Sequence, residues 1–345
     1  MTVENINPWT GQVEYRYEYF TPAQIEAKLA AAHAAFPVWS ALSFAQRAAY
    51  MNRVAELLRE HRGRIAGIMT AEMGKLRREA LGEIEKSAGA CEYYAGQAEE
   101  YMRDRDIATD ASHSFVSYEP IGCVFAVMPW NFPVWQVFRF LAPGLMAGNV
   151  ALLKHATNVP RCADVIAEII RLAGIPEGVF DVLHIDNKDA AQVIADSRVH
   201  AITLTGSERA GKSVASSAGG NLKKCVMELG GSDPFVVLDD ADLDKAVPVA
   251  VSSRFGNGGQ TCIAAKRFIL TPGIADAFMS RFLEAAGRLA VGDPNDDATT
   301  LAPMVRPDAR EQLHAQVAAS VVAGAELLIG GEMGPGVCDY PATIL

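Results

Sequence analysis

Cys262 is the residue of this sequence best suited to covalent chemistry. It ends the segment 254–262, which contains three glycines. Because glycine lets the backbone approach a ligand closely, this segment can present amide N–H groups beside the sulfur. Such donors favour the thiolate, and they also hold the oxyanion that forms when a thiolate attacks a carbonyl carbon. The segment therefore predicts a nucleophile, at one of six scattered cysteines.

Two other polar residues are candidates for a chemical role. Glu228 is a lone carboxylate between apolar residues, and burial there would raise its pKa towards the range useful to a general base. The alternative is an ion-pair partner of a nearby lysine. Asn131 lies between Pro129 and Pro133, whose fixed φ angles would aim its amide.

The segment 205–211 and Lys154 are candidates for holding a phosphate. The segment follows an apolar run and opens a helical pattern, with Ser207 as the expected N-cap. Free amides and the helix dipole bind anions at such a start, but the sequence is not G-x-G-x-x-G, and an ordinary helix start is the alternative. Lys154 ends another apolar run, where it either meets a nucleotide or is simply a solvated lysine.

The elements that position these residues follow from hydrophobic periodicity. Capping patterns at Thr21 and Ser43 predict two helix starts, and the second helix carries one buried stripe at Met51, Val54, Leu58, Ile65 and Met69. Further along, helical patterns alternate with apolar runs that predict strands at residues 114–118, 124–128, 150–154, 179–183, 201–205 and 235–238. This alternation predicts an α/β fold with a doubly wound parallel sheet, whose ligands gather at the carboxyl ends of the strands.

The same alternation predicts two domains. One α/β domain is expected over residues 1–227, and a second α/β domain over residues 228–345. The Gly230-Gly231 turn and a new alternation after it motivate the division.

Composition narrows the classes of partner. A net charge of -10 and a pI near 5.3 oppose attraction to nucleic acid or to an anionic membrane, so a small molecule is the expected partner. The most apolar region, residues 124–153, is interrupted by three prolines and is interpreted as core. The cysteines lack zinc-type spacing, so no metal is expected, and the start of the sequence shows no signal peptide, which makes the cytoplasm the expected compartment.

Together these motifs resemble the aldehyde dehydrogenase superfamily, from Ile6-Asn7-Pro8 to the end of the chain. The resemblance implies that Cys262 is the nucleophile, Glu228 the general base and Asn131 the oxyanion amide. It also implies binding of NAD or NADP, on a five-stranded variant of the Rossmann sheet without the usual glycine fingerprint, through Pro129, Trp130, Lys154, Gly206, Ser207, Gly211 and Leu229. The implied reaction is thiolate attack on an aldehyde, hydride transfer to the nicotinamide, and hydrolysis of the thioester by water activated at Glu228.

Within the superfamily, the segments 129–136 and 228–235 are most similar to bacterial succinate-semialdehyde dehydrogenases. That likeness assigns Arg139 to the substrate carboxylate and Trp135 either to the substrate tunnel or to the core. A second arginine of some relatives is replaced by Gly256, so another aldehyde is the alternative substrate. Relatives strict for NAD carry a glutamate where this chain has Thr157, which predicts that NADP is tolerated alongside NAD.

The resemblance implies that residues 1–227 form a Rossmann-type dinucleotide-binding domain and that residues 228–345 form the catalytic domain. The superfamily normally continues beyond the last residues of this sequence, so the catalytic domain is expected to be incomplete. The resemblance also implies a homodimer or homotetramer of the full-length form, with a strand segment at about residues 106–120 used in oligomerisation. An inactive cofactor-binding or subunit-interaction fragment is therefore a second interpretation of the chain. A cysteine hydrolase is a third, weakened because no histidine lies between His200 and His314.

Overall fold

The structure is a computed structural model that describes residues 2–345, and it divides into two compact units. The first unit contains residues 2–4, Arg16–Ile65 and Leu81–Leu229. The second contains Asn5–Tyr15, Ala66–Ala80 and Gly230–Leu345. The sequence-based division at residues 227 and 228 stays a prediction.

Helices and strands alternate along most of the described chain. The helices are α1 (Pro22–Ser40), α2 (Phe44–Glu60), α3 (Arg62–Met73), α4 (Arg77–Tyr101), α5 (Trp135–Met146), α6 (Pro160–Leu172), α7 (Asn187–Ala195), α8 (Glu208–Gly220), α9 (Leu243–Phe255), α10 (Ala275–Gly287) and α11 (Pro307–Val322), with a 3-10 turn at Gly256–Gly259. The strands are β1 (Thr2–Ile6), β2 (Val13–Glu18), β3 (Arg105–Asp106), β4 (Phe115–Val116), β5 (Cys123–Met128), β6 (Val150–His155), β7 (Phe180–Val182), β8 (Val199–Thr205), β9 (Lys224–Glu228), β10 (Asp233–Val237) and β11 (Ala265–Leu270).

The first two helices begin at the predicted caps. The side chains of Thr21 and Ser43 each accept a hydrogen bond from the N3 amide of their helix, and in both helices a glutamine at N3 completes the capping box. The apolar stripe predicted for one long second helix is shared between two helices, because α2 ends at Glu60 and His61 leaves helical geometry before α3 begins. All five stripe residues are nevertheless buried.

A parallel sheet of five strands forms the centre of the first unit and confirms the predicted α/β fold class. Its strand order is β7-β6-β5-β8-β9. The chain runs outward from β5 in one direction, through β6 to β7, and then returns to place β8 and β9 on the other side. This is the order of a Rossmann sheet, whose ligands bind where the strand order reverses. Here that point lies between β5 and β8, at their carboxyl ends.

Most predicted strands agree with the structure to within one or two residues. The exception is the run at residues 114–118, of which only Phe115–Val116 is a strand, paired antiparallel with β3. The second unit holds a parallel pair, β10 and β11. Its core is built around stacked aromatic rings, with Phe278 and Phe282 centred 5.4 Å apart.

The described part of the chain contains no helix that is both long enough and apolar enough to cross a membrane. In the same residues, no group of three or more His, Cys, Asp or Glu side chains is arranged to hold a metal ion.

Candidate active site

The loop after β5 carries Asn131 and is fixed by a buried histidine. The loop leaves the sheet at Pro129, and Asn131 is half-buried. The ring of His155, the last residue of β6, lies 2.8 Å from the carbonyl oxygen of Pro133 through Nε2, and its Nδ1 lies 2.9 Å from the amide of Ala156. Since the Ala156 amide can only donate, Nδ1 accepts and Nε2–H donates to the Pro133 carbonyl. One imidazole therefore ties this loop to the neighbouring strand.

The electrostatics of His155 agree with that neutral form. The ring is buried, and desolvation lowers its pKa from 6.5 to about 4. The backbone carbonyls of Pro133 and Met128, which face the ring, act in the opposite direction. At neutral pH the ring carries no charge, so Nε2–H remains the donor to Pro133 in the loop, and Nδ1 remains the acceptor for the amide of Ala156.

The start of α5, four residues beyond Asn131, is capped from another helix. No side chain at the N-cap position, Val134, accepts from the first turn. Instead the carboxylate of Glu83, buried on α4, accepts from the amides of Val134 and Trp135 at 2.8 and 2.9 Å. A carboxylate at a helix N-terminus also interacts favourably with the helix dipole. Glu83 therefore fixes where the Asn131 loop ends.

Arg139 on α5 and Glu228 at the end of β9 form an ion pair. Nη2 of Arg139 lies 2.9 Å from Oε1 of Glu228, and their side chains are 42% and 50% exposed. The burial expected for Glu228 from its apolar neighbours is therefore wrong. The apolar residues beside it in sequence alternate along an edge strand of the sheet, so they do not enclose it. The partner is an arginine rather than the lysine considered from sequence.

A cavity of about 420 Å³ lies beside this ion pair within the first unit. The strand register accounts for its wall, because Ala201, Thr203 and Thr205 of β8 pair with Lys224, Val226 and Glu228 of β9 and share one face of the sheet. Across from them, α5 contributes residues at helical spacing: Gln136, Arg139, Phe140, Pro143 and Gly144. The site thus has cations on both sides of a largely apolar space.

The turn from β8 into α8 is built as predicted for an anion-binding helix start. Ser207 is the N-cap, and its Oγ accepts from the amide of Ala210 at 3.2 Å. The amide of Gly206 donates to the carbonyl of Glu228 at 3.0 Å, which joins this turn to the end of β9. A Cβ on Gly211 would stand 2.6 Å from Cδ2 of Leu229, so glycine at 211 is what allows Leu229 to lie over the first turn of α8.

Lys154 is buried in β6 rather than solvated. It lies near the carboxyl end of β6, where it pairs with Val127 of β5, and desolvation lowers its pKa, although the charge of Asp186 acts in the opposite direction. A buried ammonium at a strand end needs an anionic or hydrogen-bonding partner. Three residues later, Thr157 is exposed, and its carbonyl oxygen accepts from the hydroxyl of Tyr17 at 3.0 Å.

Cys262, in the second unit, is half-buried and follows a backbone of unusual handedness. Asn257, Gly258 and Gly259 have φ angles of 57, 64 and 72°, in the left-handed region that favours glycine and, among other residues, asparagine. The carbonyl oxygen of Cys262 accepts from Nζ of Lys266 at 2.8 Å. The segment is therefore a tight, defined turn that leads into the cysteine.

Side chains remote in sequence fix this turn. The carboxylate of Glu79 accepts from the amide of Asn257 at 3.0 Å. Gln260 donates through Nε2 to the carbonyl of Asn257 at 3.0 Å, and its Oε1 accepts from the amide of Val305 at 2.9 Å. Glu79, Gln260 and, in the first unit, Glu83 were not identified as positioning residues from sequence. The sequence offers a signal for Gln260 alone, which lies in the Asn-x-Gly-Gln-x-Cys pattern at residues 257–262.

Trp135 has a different environment from a core tryptophan. Its ring is half-buried, and Nζ of Lys86 stands 4.1 Å from the ring centroid. This is a cation–π contact within the first unit.

The fold and these sites together define a dinucleotide-binding α/β protein with a cysteine loop in its second unit. The sequence matches the aldehyde dehydrogenase family over residues 1–344, and the chain belongs to that family. It is 50% identical to a probable NADP(+) succinate-semialdehyde dehydrogenase of Synechocystis sp., with 100% of this chain and 76% of that protein covered. It is 45% identical to the NAD(P)+ succinate semialdehyde dehydrogenase Sad of Escherichia coli, with 99% of this chain and 74% of that protein covered.

Solved structures also superpose closely on this chain. The succinic semialdehyde dehydrogenase of Streptococcus pyogenes, solved in complex with NADP+, superposes with a TM-score of 0.96 at 38% identity, covering 99% of this chain and 75% of that one. The protein Gox0499 superposes with a TM-score of 0.97 at 40% identity, covering 99% and 76%. The relatives are thus longer than this chain, as the resemblance implied.

Proposed function

We propose that this protein oxidises succinate semialdehyde to succinate with NAD+ or NADP+. The observation that carries the substrate is the position of Arg139, whose guanidinium lines a cavity that also contains Glu228. A guanidinium binds a carboxylate with matching donor geometry. The names of the relatives at 45 and 50% identity support the same substrate.

In the proposed reaction, the thiolate of Cys262 attacks the aldehyde carbon, and a C–S bond forms. The amide of Asn131 donates to the resulting oxyanion, and loss of such a donor costs on the order of a hundred- to a thousandfold in rate. Bound NAD(P)+ would accept the hydride released when the C–H bond of the former aldehyde carbon breaks, and the acyl group would remain on the sulfur as a thioester. Glu228 then takes a proton from water as the water oxygen bonds to the acyl carbon. The C–S bond breaks, and Cys262 leaves as a thiolate.

The residues at the switch point fit a dinucleotide. Lys154 is a buried cation in need of an anionic or hydrogen-bonding partner. Ser207 opens a helix whose first amides favour an anion. Gly211 leaves room for Leu229 over that helix start, and Pro129 and Trp130 lead out of the adjacent strand. We assign these residues, with Gly206, to the cofactor.

The proposed tolerance of NADP+ rests on Thr157. Its exposed position after β6 carries no carboxylate, whereas a glutamate there would repel a 2′-phosphate. The carbonyl of Thr157, held by Tyr17, keeps this segment in place.

The test is an assay of reduced cofactor with succinate semialdehyde and with butanal, which has the same length without the carboxylate. Charge-assisted hydrogen bonds to Arg139 should give succinate semialdehyde a kcat/KM about 10- to 100-fold higher. Arg139→Met should remove this preference, and Lys224→Gln, at the other cation of the cavity, should retain it. Equal use of both aldehydes by the unmodified protein would reject the substrate, and no reduced cofactor with either aldehyde would reject the activity.

We also propose a homodimer or homotetramer in the cytoplasm. The segment around β3 and β4 exposes apolar side chains that an interface would cover, among them Ile107, Phe115 and Val116. The six cysteines are free thiols, as in a reducing compartment. Sedimentation of the protein beside a Phe115→Asp variant tests the interface, and an unchanged mass would place it elsewhere.

A further inference from the structure

In the proposed function, Arg139 can bind either of two carboxylates, that of Glu228 or that of the substrate. In the structure its guanidinium holds the carboxylate of Glu228, at 2.9 Å. In the proposed function the same guanidinium receives the carboxylate of the substrate. Glu228 is also the proposed base. Its carboxylate is therefore held when it pairs with Arg139 and released when Arg139 binds the substrate carboxylate instead.

The exposure of the pair makes an exchange of partners feasible. Both side chains are close to half exposed, and ion pairs in such surroundings contribute little to stability. An arriving carboxylate that reaches the same fork with full hydrogen bonding can therefore displace Glu228 at small cost. The cavity of about 420 Å³ beside the pair gives that carboxylate a place to bind.

We propose that the substrate carboxylate displaces Glu228 from Arg139 and thereby frees the base for hydrolysis of the acyl-enzyme. The inference rests on the proposed function and adds substrate-triggered release of the base. An acyl group with a carboxylate keeps Arg139 occupied, so that Glu228 can take the proton of the attacking water. An acyl group without one leaves Glu228 paired, and its thioester is hydrolysed more slowly.

The first test measures binding and needs no catalysis. Butyrate, which carries the carboxylate without the aldehyde, is titrated by NMR into the unmodified protein and into Glu228→Gln. Removal of the competing carboxylate should tighten butyrate binding by up to about fivefold. Because loss of any negative charge helps an anion, the same substitution is made in an Arg139→Met background, where only this general part of the gain should remain. A gain of equal size without Arg139 would overturn the proposal.

The second test measures hydrolysis. The acyl-enzyme formed from butanal is followed by intact mass after acid quenching, with and without added acetate. Acetate should take the place of the missing carboxylate on Arg139 and shorten the lifetime of the adduct by about two- to fivefold. The effect should be lost in Arg139→Met and kept in part by Arg139→Lys, which restores the charge. A lifetime that acetate does not change in the unmodified protein would overturn the coupling.

The two tests separate this inference from the proposed function. If no aldehyde forms an adduct or a reduced cofactor, the proposed oxidation is wrong, and the butyrate titration still decides whether Arg139 is shared between two carboxylates. If butanal and succinate semialdehyde are both oxidised but neither test shows competition, the oxidation stands and the release of the base is wrong.

Discussion

The carboxylate of Glu79 accepts a hydrogen bond from the backbone amide of Asn257 at 3.0 Å, across 178 residues of sequence. Asn257 begins the left-handed turn that leads into Cys262. A buried amide that loses its acceptor costs free energy unless the backbone moves, so this contact sets the conformation of the turn.

Replacement of Glu79 by alanine should therefore misplace the cysteine. We expect kcat to fall by about 10- to 100-fold, because small displacements of a reacting group have effects of this size, while cofactor affinity is unchanged. The rate of Cys262 alkylation by iodoacetamide, measured by peptide mass, checks the turn independently of activity. Glu79→Gln keeps an acceptor oxygen and is the control. Equal losses in both variants would contradict the role given to the hydrogen bond.

Glu83→Ala removes the acceptor for two amides at the start of α5. Since the helix has no side-chain cap of its own, we expect the free energy of unfolding to fall by about 1–2 kcal/mol, as for loss of a helix cap. Urea denaturation gives the value. Glu83→Gln should keep most of the stability, and an alanine variant as stable as the unmodified protein would show that solvent replaces the cap.

His155 predicts a pH dependence of stability. Burial lowers its pKa from 6.5 to about 4, so the unfolded chain binds a proton on this residue more readily than the folded protein does. The free energy of unfolding should therefore be unaffected by this group above pH 6.5. It should decrease as the pH falls towards 4, by at most about 3 kcal/mol. Free energies of unfolding at several pH values in this range, compared with those of His155→Gln, isolate the effect. Parallel pH profiles would contradict it.

Cys262→Ser should abolish turnover and leave cofactor binding unchanged, because a hydroxyl is a far weaker nucleophile than a thiolate at neutral pH. Cys225→Ser provides a matched control, since Cys225 is the exposed free cysteine of β9. Steady-state rates and fluorescence titration of the reduced cofactor measure the two properties. Substantial activity of the Cys262 variant would assign the chemistry to another residue.

Thr157→Glu should select against NADP+. A carboxylate at this exposed position would repel a 2′-phosphate, so we expect kcat/KM for NADP+ to fall by about 10-fold or more, with little change for NAD+. Thr157→Gln controls for size. A similar decrease with both cofactors would show that residue 157 does not face the 2′ position.

Local signals predicted much of this fold. The caps at Thr21, Ser43 and Ser207 depend on residues three positions away, and the structure contains all three. The pattern did not predict the break at His61, because the apolar stripe continues through α2 into α3. A hydrophobic face alone does not mark where a helix is interrupted.

The environment of the site residues was harder to predict, because it depends on tertiary contacts. Glu228 was expected to be buried, but it lies at a sheet edge and pairs with Arg139, 89 residues earlier in the sequence. From the sequence alone, Lys154 could equally have been solvated, and its burial follows from the position of β6 inside the sheet. Glu79 and Glu83 act on amides far along the chain, and no pattern in their own helix indicates this.

The left-handed turn before Cys262 also limits how this protein can be stabilised by engineering. Replacing glycine with alanine often stabilises a protein by restricting its unfolded chain, provided that the folded backbone accepts a side chain. At Gly258 a Cβ would stand 2.9 Å from the carbonyl oxygen of Ala302, so the turn is closed to this strategy. Gly82 and Gly89 on α4 meet nothing within 4 Å, and thermostable variants are better sought there.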